Sequence, residues 1–150
     1  MDEMDRKILK VLQREPELPI VELAERVGLS HTPCWRRIKN LQAAGVIVKK
    51  AVILDPKAVG YGVNVFAHLN FARQDEETLV AFEREVEKYP QIVECFSMSG
   101  ASDYLIRIVA RSIEDYEVFL KKVVLHLPGV STVNSSFALK AVKLTTDLPL

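Results

Sequence analysis

The sequence predicts an α+β chain of two parts, an N-terminal winged helix-turn-helix and a C-terminal ferredoxin-like βαββαβ domain. Three observations lead there. Two short amphipathic stretches meet at Gly28-Leu29-Ser30, the form of two helices joined by a tight glycine turn. A β-branched run, Val46 to Leu54, follows the second of them. Beyond Asp55-Pro56 and Gly60-Tyr61-Gly62, the apolar period switches in the order strand, helix, strand, strand, helix, strand. The domains are expected at 1–54 and 63–150, with 55–62 as linker.

The first helix is expected over about Asp2 to Gln13. Met4, Ile8, Val11 and Leu12 follow helical spacing, and Asp2, Glu3 and Asp5 suit the positive end of its dipole. Pro16 and Pro19 interrupt the chain. The second helix, about Ile20 to Val27, repeats apolar residues at Ile20, Leu23, Ala24 and Val27. Gly28 suits a helix C-cap, because glycine accepts the left-handed conformation. Ser30 or Thr32 suits the next N-cap, and Pro33 is tolerated in a first helical turn. The third helix is expected from about His31 to Ala44. With Ile38 at the centre of its inner face, Cys34, Leu41 and Gly45 share that face and Trp35 lies at its edge, where it reads as a packing residue. Arg36 and Asn40 point outward, flanked by Thr32, Lys39 and Arg37. Major-groove reading needs this combination, since arginine bonds guanine in two places and asparagine does the same to adenine. Ser30, His31, Thr32, Arg36, Arg37, Lys39 and Asn40 are therefore the candidate DNA-binding residues, with Lys49 and Lys50 as wing or phosphate contacts. Arg37, on the helix flank, is open to two readings, a phosphate contact or an intradomain ion pair.

In the second half, a strand is expected over Val63–Phe71, with Val65, Ala67, Leu69 and Phe71 on one side. A helix from about Glu76 to Tyr89 turns Leu79, Phe82, Val86 and Tyr89 inward. A strand at about Ile92 to Met98, the turn Ser99 to Asp103, and a strand at Tyr104–Ala110 follow. Ser112 can cap a second helix reaching about Leu125, and Pro128-Gly129 leads into a last strand, about Val130 to Val142. Such a sheet is covered by helices on one face, and its open face suits pairing with a second copy. A dimer also suits binding to two half-sites about one DNA turn apart.

Formal net charge is zero, but it is unevenly spread. Residues 1–54 carry ten Lys/Arg against seven Asp/Glu, a balance of +3. From Gly28 to Leu54 there are Arg36, Arg37, Lys39, Lys49 and Lys50 and no acid. That distribution fits attraction to phosphate. Cys34 and Cys95, the only cysteines, lie beside apolar residues without metal-ligand spacing, and read as core residues. His31, His68 and His126 are far apart, with no nucleophile or paired carboxylate nearby, so neither a catalytic residue nor a metal site is expected. No basic region followed by an apolar run opens the chain, and no apolar run is long enough for a membrane span. A cytoplasmic protein without a cofactor is expected.

Several short motifs, in this order, resemble the Lrp/AsnC (feast/famine) family of transcriptional regulators over nearly the whole chain. They are Asp5 with Ile8-Leu9, Val21 to Ser30, Thr32-Pro33-Cys34, Arg37-Ile38, Leu41 and Gly45, then Gly100 with Asp103-Tyr104, Leu127 to Val130, and Ser135-Ser136-Phe137. The resemblance implies a non-enzymatic regulator of amino-acid metabolism in a bacterial or archaeal cell, associated with the nucleoid. It implies dimers that assemble to octamers on double-stranded DNA and bind a small effector, usually an amino acid. By position, Gly100, Ala101, Ser102 and Asp103 resemble the family's effector loop, and Ser136, Phe137 and Ala138 a segment lining or influencing the pocket. Gly100 would let backbone N–H groups approach a carboxylate, and Asp103 would pair with an α-ammonium. A tight turn explains the same two residues from the pattern alone. The apolar wall at Phe137 and Ala138 favours leucine, methionine or cysteine as effector. The rival readings are an enzyme resembling the siroheme decarboxylases, which share the fold, and an architectural DNA-binding protein without effector. The basic, acid-free stretch weighs against the first and the Gly100-Asp103-Tyr104 motif against the second.

Overall fold

Asp2 starts the chain's first helix through a capping box: its carboxylate accepts from the Asp5 N–H at 2.9 Å, and the Asp5 carboxylate accepts from the Asp2 N–H at 3.0 Å. In the computed structural model, which describes residues 1–150, helix α1 spans Glu3–Arg14, α2 Ile20–Val27 and α3 His31–Ala43. Their apolar stripes meet in a core of Ile8, Leu23, Ala24, Val27, Cys34 and Ile38. Each such side chain, fully buried, contributes about 1.5–3 kcal/mol when it is as large as Ile or Leu. Gly28 ends α2 in the left-handed region, with φ 75° and ψ 34°, and its N–H reaches the Ala24 and Glu25 carbonyls. Ser30 is the N-cap residue of α3 and is extended, but its hydroxyl makes no capping bond.

Two compact units divide the chain, Met1–Ile53 with Val142–Leu150, and Leu54–Ala141. Residues 142–150, which follow the second unit in sequence, pack with the first. They are held there by Gln13 of α1, whose side chain accepts from Leu148 N at 2.7 Å and donates to Leu148 O at 3.2 Å. Arg14 and Asp147 add an exposed ion pair at 3.5 Å. A correction concerns Val46 to Leu54, which carries no strand pairing. No second strand of the chain lies alongside it, and β propensity expresses packing against neighbours rather than a backbone preference. Val48 and Val52 are consequently almost fully exposed.

The second unit is one antiparallel sheet with helices on one face. Strands β1 (Val63–Phe71), β2 (Ile92–Ser97), β3 (Tyr104–Ala110) and β4 (Val130–Phe137) lie in the order β2-β3-β1-β4. Helix α4 spans Glu76–Val86 and α5 Ile113–Lys122, capped by the side chains of Asp75 and Ser112. Alternate residues of the strands, including Val65, Leu69, Ile106 and Ile108, are buried under the helices. Phe71, Phe82 and Tyr104 pack ring against ring, with Phe82 centred 4.9 Å from Phe71 and 4.6 Å from Tyr104. The sheet's other face carries Phe66, Leu105, Arg107 and, on β2, the half-exposed Phe96.

Three element ends fall short of the sequence expectation, and the first is that of helix α4, which stops at Val86 rather than about Tyr89. Helix α5 stops at Lys122, and Val124–His126 form a separate 3-10 turn before Pro128. Strand β4 stops at Phe137, which pairs with Val65; one further bond joins Ala138 N to Asn64 O. Strand β1 begins at Val63, so residues beyond that point have no partner strand.

Candidate DNA-reading face and effector loop

Helix α3 presents two faces of different chemistry. Cys34, Ile38 and Leu41 are buried, whereas His31, Thr32, Trp35, Arg36, Lys39 and Asn40 are exposed. Arg36 and Asn40 lie one turn apart on the outer side, where a bidentate donor and an amide can meet base edges together. Ser30 precedes them, exposed, at the turn, and Lys49 lies exposed on the segment after α3. Two expected contacts are instead engaged within the unit. Arg37 Nη1 pairs with Asp2 at 2.7 Å and Asp5 at 2.8 Å, so its guanidinium ties α3 to the start of α1. Asp2 is held below its ordinary carboxyl range first by the Asp5 N–H and then by Arg37. Lys50 Nζ donates to the Pro16 carbonyl at 2.6 Å. The sequence left both readings of Arg37 open, and the ion pair is the one the structure contains.

Trp35 corrects its own expectation, since 45% of it remains exposed and Lys39 Nζ stands 5.8 Å from its ring centroid. At 60° or so around the helix from Ile38, a side chain can turn either way, and packing partners decide.

The loop joining β2 and β3 carries Gly100 at φ 117°, a region open chiefly to glycine. Asp103 organises this loop. One carboxylate oxygen accepts from the Phe71 N–H at 2.7 Å, the other from Gln74 Nε2 at 2.7 Å. Its backbone N–H donates to Leu69 O and its carbonyl accepts from Met98 N, both at 2.9 Å. Ser102 Oγ meets His68 Nδ1 at 3.2 Å. Gln74, Phe71 and His68 are thus loop-holding partners that the sequence did not mark; nothing in local spacing joins residues some thirty positions apart. On β4, Ser136 pairs with Phe66, while the Phe137 ring meets Tyr116 edge-on at 5.4 Å. The loop lies beside Leu69, whereas Phe137 lies beside Val65, four residues back along β1. At strand rise that is about 13 Å, whereas Ser102 at His68 and Ser136 at Phe66 are separated by two residues of β1, about 7 Å, and no hydrogen bond joins the two segments.

Cys34 is buried and Cys95 half-buried, and burial pushes the Cys95 thiol up to about 11.

Family models match both units. The description "winged helix-turn-helix DNA-binding" matches residues 1–48, and "Lrp/AsnC ligand binding domain" matches residues 64–148. The chain belongs to the Lrp/AsnC family of DNA-binding transcriptional regulators. Among the family's curated members, it is similar to the DNA-binding transcriptional activator DecR of Escherichia coli K12, 37% identical over all of this chain and 99% of that one. The glutamate uptake regulatory protein of Zymomonas mobilis is 35% identical over all of this chain and 91% of its own. A solved Neisseria meningitidis transcriptional regulator, in complex with L-methionine, superposes with a TM-score of 0.94 and 38% identity, covering 99% of this chain and 96% of the other. Lrp/AsnC membership gives the two units their separate tasks, DNA binding for the first and ligand binding for the second. No helix is long and apolar enough to cross a membrane.

Proposed function

We propose that this regulator reads its operators with Arg36 and Asn40 and senses an amino acid through the Gly100–Asp103 loop, thereby controlling genes of amino-acid metabolism. The observation that carries the reading is the outer face of α3, where Arg36, Lys39 and Asn40 stand exposed in a stretch without acids. Ser30, His31 and Thr32 lie at the start of that helix and Lys49 beyond it, in positions suited to phosphate and groove contacts. Arg37 and Lys50 act within the unit, fixing α3 against α1 and the segment after α3 against Pro16.

The effector is an amino acid with an apolar or sulfur-bearing side chain, and methionine is the first candidate because a Neisseria relative binds it. The separation of Gly100–Asp103 from Ser136–Ala138 supports a site completed by another copy of the chain. The open sheet face, with Phe66, Leu105 and Phe96, suits a homodimer, and dimers assemble further, to an octamer. No catalytic role is assigned, and the setting is the cytoplasm, on the nucleoid. A thermal-shift screen of the full chain against the twenty amino acids tests the sensing half. A ligand that binds only the folded state at a hundredfold excess over its Kd stabilises it by about 2.7 kcal/mol. A rise in Tm with methionine, leucine or cysteine supports the reading, and no rise with any amino acid refutes it.

A further inference from the structure

One exposed side chain on the flank of α3 is not accounted for by phosphate or hydrogen-bond chemistry. Trp35 is the only tryptophan of the chain, and 45% of it is exposed. Tryptophan is highly buried on average, so an indole left in water at a functional surface asks for a partner. Three observations identify the chemistry of that partner. Trp35 is the fifth residue of α3, and in helix-turn-helix docking the N-terminal residues of the second helix are those that touch base edges. It adjoins Arg36, whose guanidinium suits the groove, and Lys39 Nζ lies 5.8 Å from its ring centroid. That cation–π contact orients the ring beside a positive charge. Within an intact duplex the base faces are stacked and closed to the ring. On the major-groove edges, the one apolar group is the C5-methyl of thymine.

We propose that Trp35 is a specificity-determining residue that selects thymine, packing its indole on the C5-methyl while Lys39 pairs with the neighbouring backbone. This rests on the reading of α3 as the DNA-recognition helix.

The test uses the full chain and a duplex selected by that chain from a random library. Anisotropy titrations compare this duplex with the same sequence in which deoxyuridine replaces thymine, which removes the methyl and leaves every hydrogen-bonding group. Wild type is expected to lose about four-fold in affinity per contacted methyl. Trp35→Gln is expected to bind the thymine duplex more weakly and to bind the two duplexes equally, with an unchanged slope of log affinity against log salt. Trp35→Phe is expected to retain part of the thymine preference. Emission from the single indole should shift to the blue on saturation with DNA. A thymine-to-deoxyuridine ratio in Trp35→Gln equal to that of wild type overturns the proposal. So does emission unmoved by DNA, or emission that shifts with protein concentration alone, which would place the ring against another copy. Failure to bind any duplex overturns the recognition-helix reading as well; tight binding with a silent indole overturns only the role of Trp35.

Discussion

Removing the Asp103 carboxylate separates its two possible roles, holding the loop and charging the effector site. In Asp103→Ala the Phe71 N–H loses its acceptor at 2.7 Å, and Phe71 is only 9% exposed, so water replaces that acceptor poorly. An unsatisfied buried donor costs about 1–3 kcal/mol. The bond to Gln74 is exposed and adds little. For a unit of this size, each kcal/mol lowers Tm by roughly 4–8 °C. Asp103→Asn keeps an acceptor for the Phe71 N–H, and its amide N–H₂ can donate to the Gln74 carbonyl once that side chain flips. It should therefore unfold close to the wild-type temperature while lacking the negative charge. Differential scanning calorimetry gives the first quantity, and isothermal titration with L-methionine the second. The expected pattern is a lowered Tm in the alanine variant alone and lost methionine affinity in both. A wild-type Tm in Asp103→Ala would refute the structural reasoning, and undiminished affinity in Asp103→Asn would remove the charge from the site.

Arg36→Ala should cost about 1–3 kcal/mol of discrimination between operator and altered sites, measured by competition binding. Lys49→Ala should instead weaken all duplexes alike and reduce the salt slope by about one. For Asp2, whose folded carboxyl titrates below its ordinary 3.8, the stabilisation is full above that value and is lost as pH falls through the lower folded one. In Arg37→Gln its NMR titration midpoint should rise toward 3.8, because one of the two main causes is gone. Gly129→Ala should lower the Tm of the sensor unit by the equivalent of about 1–3 kcal/mol. The residue sits at φ 78°, and a Cβ there would overlap Thr78 Cγ2 and come within 3.0 Å of the Phe71 ring. Cys95, with its thiol pushed to about 11, should resist iodoacetamide at pH 7.5 in the native protein and react once the chain is unfolded.

Much of this architecture was legible because periodicity and punctuation agree. Helix α2 and strands β1 and β3 begin and end where their apolar spacing does, and Gly28 adopts the left-handed cap its position implied. What escaped the sequence depends on contacts between distant residues. Arg37 had two readings until Asp2 and Asp5, more than thirty positions earlier, were placed beside it. Trp35 sits on a helix boundary between inside and outside, where spacing alone does not choose. Val46–Leu54 has strand composition, yet no strand of the same chain lies next to it. The last nine residues continue past β4 into the first unit through Gln13, a hydrogen-bond partnership that no composition marks. At the effector loop, Gly100 and Asp103 were identifiable by their resemblance, but the carboxylate's commitment to Phe71 and Gln74 required the fold.

One chain is expected to couple amino-acid sensing to DNA reading. The most direct measurement is a binding isotherm on a duplex selected by the protein, repeated with saturating methionine, leucine and cysteine in turn. Salt-sensitive, sequence-selective binding is expected, with an affinity or stoichiometry that changes with one of these amino acids and not in Asp103→Asn. Identical isotherms with and without every amino acid, or equal binding to selected and scrambled duplexes, would contradict it.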